Sequence, residues 1–209
     1  LEEWQKNDII RPLFGWKNKD GLRKYRTCYI EIPRKNGKSN LSAAIALYLL
    51  FGSGEKGGEI ISAAGDRNQA RIVFDIAAQM VRQNKSLSNH ATVHKSEIHF
   101  KESFYKSISA EARTKHGFNC SGIIFDELHT QPNRELWDVL TTSVASRAQP
   151  LIVALTTAGH DTSSICYEVH EYALKVRDGS IDDPTFLPVI YAADQSDDWS
   201  LEETWRKAN

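Results

Sequence analysis

No apolar run in these 209 residues approaches the roughly 18 residues of a membrane span, so no membrane association is expected. The three cysteines, Cys28, Cys120 and Cys166, are odd in number, far apart and without a C-x-x-C partner. That pattern excludes a disulfide framework and points to reduced thiols in a cytosol-like compartment. A positively charged leader followed by an apolar stretch is also missing, and residue 1 is Leu rather than Met. The expectation is no signal peptide and a chain trimmed from something longer. There is no internal repeat and no low-complexity tract. Net charge is nearly absent at −1, which removes the strong basic excess of a dedicated nucleic-acid binder. The balance is nonetheless uneven. Residues 1–181 hold 24 Lys+Arg against 20 Asp+Glu, and 182–209 hold 2 against 7, so a mildly basic body ends in an acidic tail.

What is present is ordinary globular material, 41% hydrophobic and 25% charged, long enough for one sizeable domain with a real core. Its organising stretch is Tyr29–Asn40, YIEIPRKNGKSN. A β-branched run stops at Pro33, passes through Arg34, Lys35, Asn36, Gly37, Lys38 and Ser39, and opens into the apolar LSAAIALYLLF. Strand, glycine-bearing loop and helix, in that order, hold nucleotide phosphates: backbone N–H groups and the helix N-terminus face the anion, a Lys reaches the β/γ-phosphates, and a Ser hydroxyl ligates Mg²⁺. The general pattern G-x-x-x-x-G-K-[ST] wants a glycine where Ile32 stands, and only Gly37-Lys38-Ser39 is retained.

The remaining chain alternates. Residues 1–16 have helical spacing up to Pro12 and a break at Gly15, and 17–26 form a turn-rich connection with five Lys/Arg. A strand over Thr27–Ile32 precedes a helix from Lys38 to Phe51. Glu59–Ala64 reads as a buried strand, and Asp66 as the N-cap of a helix over Asn68–Gln83. From Thr92 to Ser109 the period falls to two, giving short strands and an antiparallel hairpin turning at Lys101–Ser103; residues 110–119 read as a surface loop. Gly122–Phe125 is a buried strand carrying Asp126 and Glu127 at its C-terminal end, where open α/β sheets bind ligands. A helix over Arg134–Ala145, a strand over Leu151–Leu155 ending in Thr156-Thr157-Ala158-Gly159, a helix around Tyr167–Val176 and a strand over Phe186–Ala192 follow. This β-α-β order implies a mostly parallel sheet with helices on both faces.

The residues also form a chemical set. Lys38 and Ser39 cover phosphate and Mg²⁺, Asp126 can hold Mg²⁺, and Glu127 can polarise water, which favours hydrolysis over transfer to a small substrate. His129, His160 and His170 lack zinc-ligand spacing and read as ordinary polar residues. Trp4, Trp16, Trp137, Trp199 and Trp205 read as core or domain-interface aromatics. The rivals to an ATP-hydrolysing motor are a helicase-type nucleic-acid ATPase and a non-hydrolysing nucleotide-binding module.

With PRKNGKS, IIFDELH and ALTTAG, an upstream LxxWQ and a closing DDW…W.KAN, the chain resembles the N-terminal ATPase domain of the large terminase subunit of tailed bacteriophages and prophages, over essentially its whole length. The resemblance implies a RecA-like P-loop NTPase of the additional-strand, catalytic-glutamate class, whose phosphate loop lacks the first glycine and carries an arginine where Arg34 stands. It implies MgATP hydrolysis that drives double-stranded DNA into a procapsid, with a portal protein and a small terminase subunit as partners. A homo-oligomeric ring on the procapsid, a monomer in isolation and a location in the bacterial host cytoplasm go with it. Residue by residue, Gln5 resembles the adenine-recognising glutamine, with Trp4 and Phe14 as stacking partners. Pro33–Ser39 resemble the Walker A loop, with Arg34 and Lys38 acting on the phosphates, and Ile123–Glu127 resemble Walker B with its catalytic glutamate. Thr156 and Thr157 resemble the motif that couples γ-phosphate state to domain motion. Arg113 falls where some members place an arginine finger, with Lys115 or Arg147 as alternatives. Residues 1–193 are then the ATPase domain and 194–209 an acidic segment leading to a linker. The family's nuclease domain lies outside this chain, so Asp194, Asp197 and Asp198 are expected to form no cleavage site.

Overall fold

The strand that leads into the phosphate loop is buried along four of its five residues. The structure, a computed structural model, describes residues 1–110, 117–159, 161–193 and 196–208. A π-helical stretch Gln5–Ile10 runs into α1 (Arg11–Gly15), followed by β1 (Thr27–Glu31), α2 (Lys38–Phe51), β2 (Glu59–Ala64), α3 (Arg67–Gln83) and α4 (Lys85–Ser88). Next come β3 (Ala91–Val93), β4 (Glu97–Phe100), β5 (Ser103–Ser109), β6 (Cys120–Phe125) and α5 (Glu135–Thr142). The chain closes with β7 (Leu151–Thr156), α6 (Ile165–Arg177), β8 (Phe186–Ile190) and α7 (Glu202–Ala208). One sheet has the order β3-β4-β5-β2-β6-β7-β1-β8. From β5 to β8 every pairing is parallel, and only the β3-β4 and β4-β5 pairings are antiparallel. This is the mostly parallel, helix-flanked α/β class implied by the sequence.

Period-two alternation divides the core. Cys28, Ile30 and Ile32 face α2 and α3 together with Ile124, Val153 and Leu155, whereas Tyr29 joins Ile123, Phe125 and Ala154 under α5 and α6. Both faces of β1 and β6 are therefore covered, as parallel strands require. Helix α2 is apolar nearly all round because it lies against the sheet between the N-terminal helix and α3. Gly122 of β6 lets it approach: a Cβ there would meet Leu49 Cδ1 at 2.6 Å.

Several boundaries differ from the sequence reading. Pro12 does not interrupt the first helix, which runs on to the expected break at Gly15; a wider π turn precedes it, in which Arg11 N–H reaches back five residues to Lys6 O. The expected hairpin is a three-stranded meander whose last strand, β5, joins the main sheet parallel to β2. Helix α5 ends at Thr142 rather than Ala145, where the Thr141, Thr142 and Ser143 hydroxyls bond back to carbonyls of the preceding turn. The short α4 was missed, although Asn84 caps it by accepting from Ser86 and Leu87 N–H. Trp16, Trp199 and Trp205 are exposed rather than core, while Trp137 packs on Phe125. All three cysteines are free and buried. Among the described residues no helix is long and apolar enough to cross a membrane.

Candidate functional site

Three neighbouring strands, β1, β7 and β6, end side by side at the C-terminal edge and deliver the predicted motifs there. Strand β7 lies between β1 and β6. The Thr156-Thr157 turn is therefore placed between the phosphate-loop candidate and the Asp126-Glu127 pair.

The loop after β1 adopts the shape its sequence permits. Lys35 and Gly37 both have positive φ, 68° and 73°, which turns the chain so that Gly37 caps α2. Lys38 opens that helix and is only 5% exposed; its Nζ lies 3.5 Å from Ile32 O, 3.3 Å from Pro33 O and 3.6 Å from Glu127 Oε1. Arg34, Lys35, Gly37, Lys38 and Ser39 line a cleft of about 590 Å³ together with Glu127, His129 and residues of α3. Helix α3 starts beside it because the Asp66 carboxylate accepts from Asn68 and Gln69 N–H, the predicted cap.

Asp126 is 2% exposed and its Oδ1 accepts the Ser42 hydroxyl at 3.1 Å. Ser42 was not singled out in the sequence. It stands three residues after Ser39, so the two residues share one face of α2. Burial, with the Glu127 charge adding to it, pushes the Asp126 carboxyl up to about 6 against the opposing effects of Ser42 and Lys38.

Glu127 has φ +50° and ψ +56°, a left-handed conformation that aims its side chain back across the edge. Its Oε2 is buried and has no hydrogen-bond donor among the described residues; His129 Nδ1 lies 3.4 Å away, close enough for charge attraction but poorly aligned for a bond. His129 Nδ1 is 3.0 Å from Thr156 Oγ1, whose own proton goes to Thr157 O at 2.8 Å. His129, read as an ordinary polar residue, thus stands between the Glu127 carboxylate and the Thr156 hydroxyl. Its position two residues past Glu127, on a turn at a strand's C-terminal end, was the available signal.

Gln5 is buried beneath the loop. Its Nε2 donates to Asn36 O at 3.3 Å, its Oε1 accepts from Glu2 N, and with Trp4, Asn36, Gly37 and Met80 it lines a second cavity of about 760 Å³. Trp4 borders this cavity while packing on Tyr191. Phe14 does not. It packs on Tyr48 at 4.2 Å under the Arg23 guanidinium, roughly 15 Å along α2 from Lys38 at 1.5 Å per residue.

Arg113, Lys115, His160 and Asp194 lie outside the described residues. Arg147, the alternative finger, does not reach the cleft of its own chain. It is tied to Glu55, Gly57 O and Asn119 O beside the N-terminal ends of β2 and β6, the edge opposite the cleft. Asp197 pairs with Lys207 and Asp198 accepts from Ser200, and no cluster of three or more metal-ligating side chains occurs among the described residues.

The chain is similar to known proteins over most of its length. The chain is 32% identical to the terminase large subunit of Enterobacteria phage HK97 over 187 residues, covering 86% of this chain and 36% of that protein. It superposes on the crystal structure of the HK97 large terminase with a TM-score of 0.85 at 28% identity, over all of this chain and 43% of that one. The fold also matches the large terminase of a thermophilic bacteriophage in complex with ATP-γ-S, at TM-score 0.60 and 14% identity, over 96% of this chain and 47% of that one. The chain spans less than half the length of these relatives. Residues 3–175 match the family described as terminase large subunit, ATPase domain, and it is to this family that the chain belongs.

Proposed function

We propose that this chain is the motor domain of a large terminase subunit, hydrolysing MgATP to drive double-stranded DNA into a procapsid. The observation that carries the reading is the cleft itself. Lys38 Nζ and the Glu127 carboxylate are 3.6 Å apart across it, with Ser39 on its wall and Asp126 beneath. The ATP-γ-S complex of the similarly folded terminase from a thermophilic bacteriophage supports a nucleotide as the ligand.

In this reading the loop N–H groups, Arg34 and Lys38 hold the β- and γ-phosphates, and Gln5 reads the adenine edge from the adjoining cavity. Lys35 and Asn36 shape the loop between them. A hard cation such as Mg²⁺ takes oxygen ligands and needs only one or two protein groups beside the phosphates. The buried Asp126 carboxylate and the Ser39 hydroxyl fit that demand. Bound there, Mg²⁺ neutralises charge on the phosphates. Glu127 Oε2, which no donor among the described residues hydrogen-bonds, is the acceptor for a water proton as that water's oxygen bonds to the γ-phosphorus and ADP departs. Thr156 and Thr157, joined to Glu127 through His129, report the state of the site to the rest of the motor.

The larger assembly we propose is a ring of subunits on a portal protein, loaded by a small terminase subunit in the bacterial host cytoplasm, with Arg113 as the candidate for a trans-acting arginine; family membership supports it. Isolated, the domain is expected to be monomeric and slow. Lys38→Ala tests the foundation. Fluorescent-nucleotide titration should show affinity falling at least about tenfold, because a buried ammonium aimed at the phosphates is lost. Affinity equal to the parent would overturn the phosphate-loop assignment.

A further inference from the structure

Glu31 is a buried carboxylate outside the nucleotide cleft, on the α6 face of β1, two residues before Pro33. An ionised group there is costly unless it is paired and hydrogen-bonded. It is both. Glu31 Oε2 accepts from the Tyr29 hydroxyl at 2.7 Å and from His170 Nδ1, on α6, at 2.8 Å. Burial penalises its charge, but the bonds from His170 and Tyr29 outweigh that penalty and hold the carboxyl below its usual range. The same bond holds the His170 imidazolium above its usual value.

The pair does not end there. In the parallel register Glu31 lies directly beside Thr156. The Tyr29 hydroxyl, its proton given to Glu31, lies close to the Cys166 thiol, and Cys166 Sγ is 3.5 Å from Thr156 Oγ1. Thr156 Oγ1 is the atom that meets His129 Nδ1, and His129 meets Glu127. Because the Thr156 proton is committed to Thr157 O, the Thr156 oxygen faces both neighbours as an acceptor, which places a proton on His129 Nδ1. Polar side chains therefore connect the cleft to the opposite face of the sheet. There Glu31, Asp161, Ser164, Tyr167 and His170 border a separate cavity of about 220 Å³.

We propose that Glu31 and His170 are a positioning pair for hydrolysis: by holding the Tyr29 hydroxyl beside Cys166 they fix the Thr156 hydroxyl, which orients His129 beside the Glu127 carboxylate. The inference rests on the reading of Glu127 as the acceptor of the water proton. Its distinguishing consequence is a loss of turnover without a loss of nucleotide binding, since none of Tyr29, Glu31, Cys166 and His170 lines the cleft.

The test measures kcat, KM, nucleotide affinity and thermal melting for His170→Ala, His170→Asn and Tyr29→Phe. Asn presents an amide N–H near the position of Nδ1, and Phe keeps the packing of Tyr29. His170→Ala and Tyr29→Phe should lower kcat about tenfold, with KM and affinity within twofold of the parent. His170→Asn should recover most of the loss. Parental kcat in both Ala and Phe variants would overturn the proposal. So would equal impairment of the Ala and Asn variants in step with their melting temperatures. Glu127→Gln runs beside them: if it loses turnover while the other variants do not, the positioning pair alone fails. If Glu127→Gln itself turns over normally, the reading beneath it fails.

Discussion

Asp126 shows how this site trades stability for chemistry. Its carboxyl is pushed up to about 6 by burial, against an ordinary value near 4 in an unfolded chain. Between those values the folded state binds the extra proton, so this group's contribution to stability falls as pH rises from about 4 to about 6 and stays unfavourable above. A shift of roughly two units corresponds to at most about 3 kcal/mol. Asp126→Asn keeps the shape and a partner for Ser42 and removes the charge. It should melt several degrees higher than the parent at pH 8 and converge with it near pH 4, while losing Mg²⁺-dependent nucleotide affinity; paired melts and titrations check this. A lower melting temperature at pH 8 would mean that attraction to Lys38 outweighs burial at this carboxylate. Residues at this scale divide by reach. Lys38, Ser39, Asp126 and Glu127 were legible because local spacing defines them. Ser42, Glu31, His129 and His170 were not, since Ser42 meets Asp126 across 84 residues and His170 meets Glu31 across 139. Phe14, a stacking partner by resemblance alone, packs on Tyr48 instead, since nothing in its local sequence says which end of α2 it meets.

Elements were legible where apolar runs meet glycine or a capping side chain. Both α2 and β2 have the boundaries read from sequence, and α3 starts at its Asp66 cap. The edge meander and α4 were read poorly because they are short and half-exposed, so their pattern is weak. The close meeting of two connections was invisible to any pattern. Gly65, at the end of β2, lies so near the turn after Glu127 that a Cβ would fall 2.4 Å from Thr130 O and 2.6 Å from Thr130 Oγ1. The carbonyl belongs to the backbone and cannot swing aside. Gly65→Ala should therefore cost about 1–3 kcal/mol by overpacking, lowering the melting temperature by several degrees. It should also reduce turnover, because the displaced turn carries His129. A variant that melts and turns over like the parent would show that the two connections move independently.

At the scale of the whole molecule, strand order does the organising. Placing β7 between β1 and β6 sets the Thr156 turn between the phosphate loop and the two carboxylates, and covering both sheet faces buries the strands that carry them. The loop without its first glycine works within that frame. Lys35 and Gly37 supply the two left-handed turns, and Ile32 is a buried core residue whose N–H bonds to Thr156 O. A glycine at Ile32 would remove core packing where no left-handed turn calls for one. The fold was legible from alternating strands and helices; which strands neighbour one another was not, because parallel order is set by crossovers rather than by local sequence. The central claim is hydrolysis by water activated at Glu127. Single-turnover phosphate release by Glu127→Gln, measured beside its MgATP affinity, tests it most directly. The account predicts affinity within about twofold of the parent and release slowed at least about 100-fold. Release at the parental rate would contradict it.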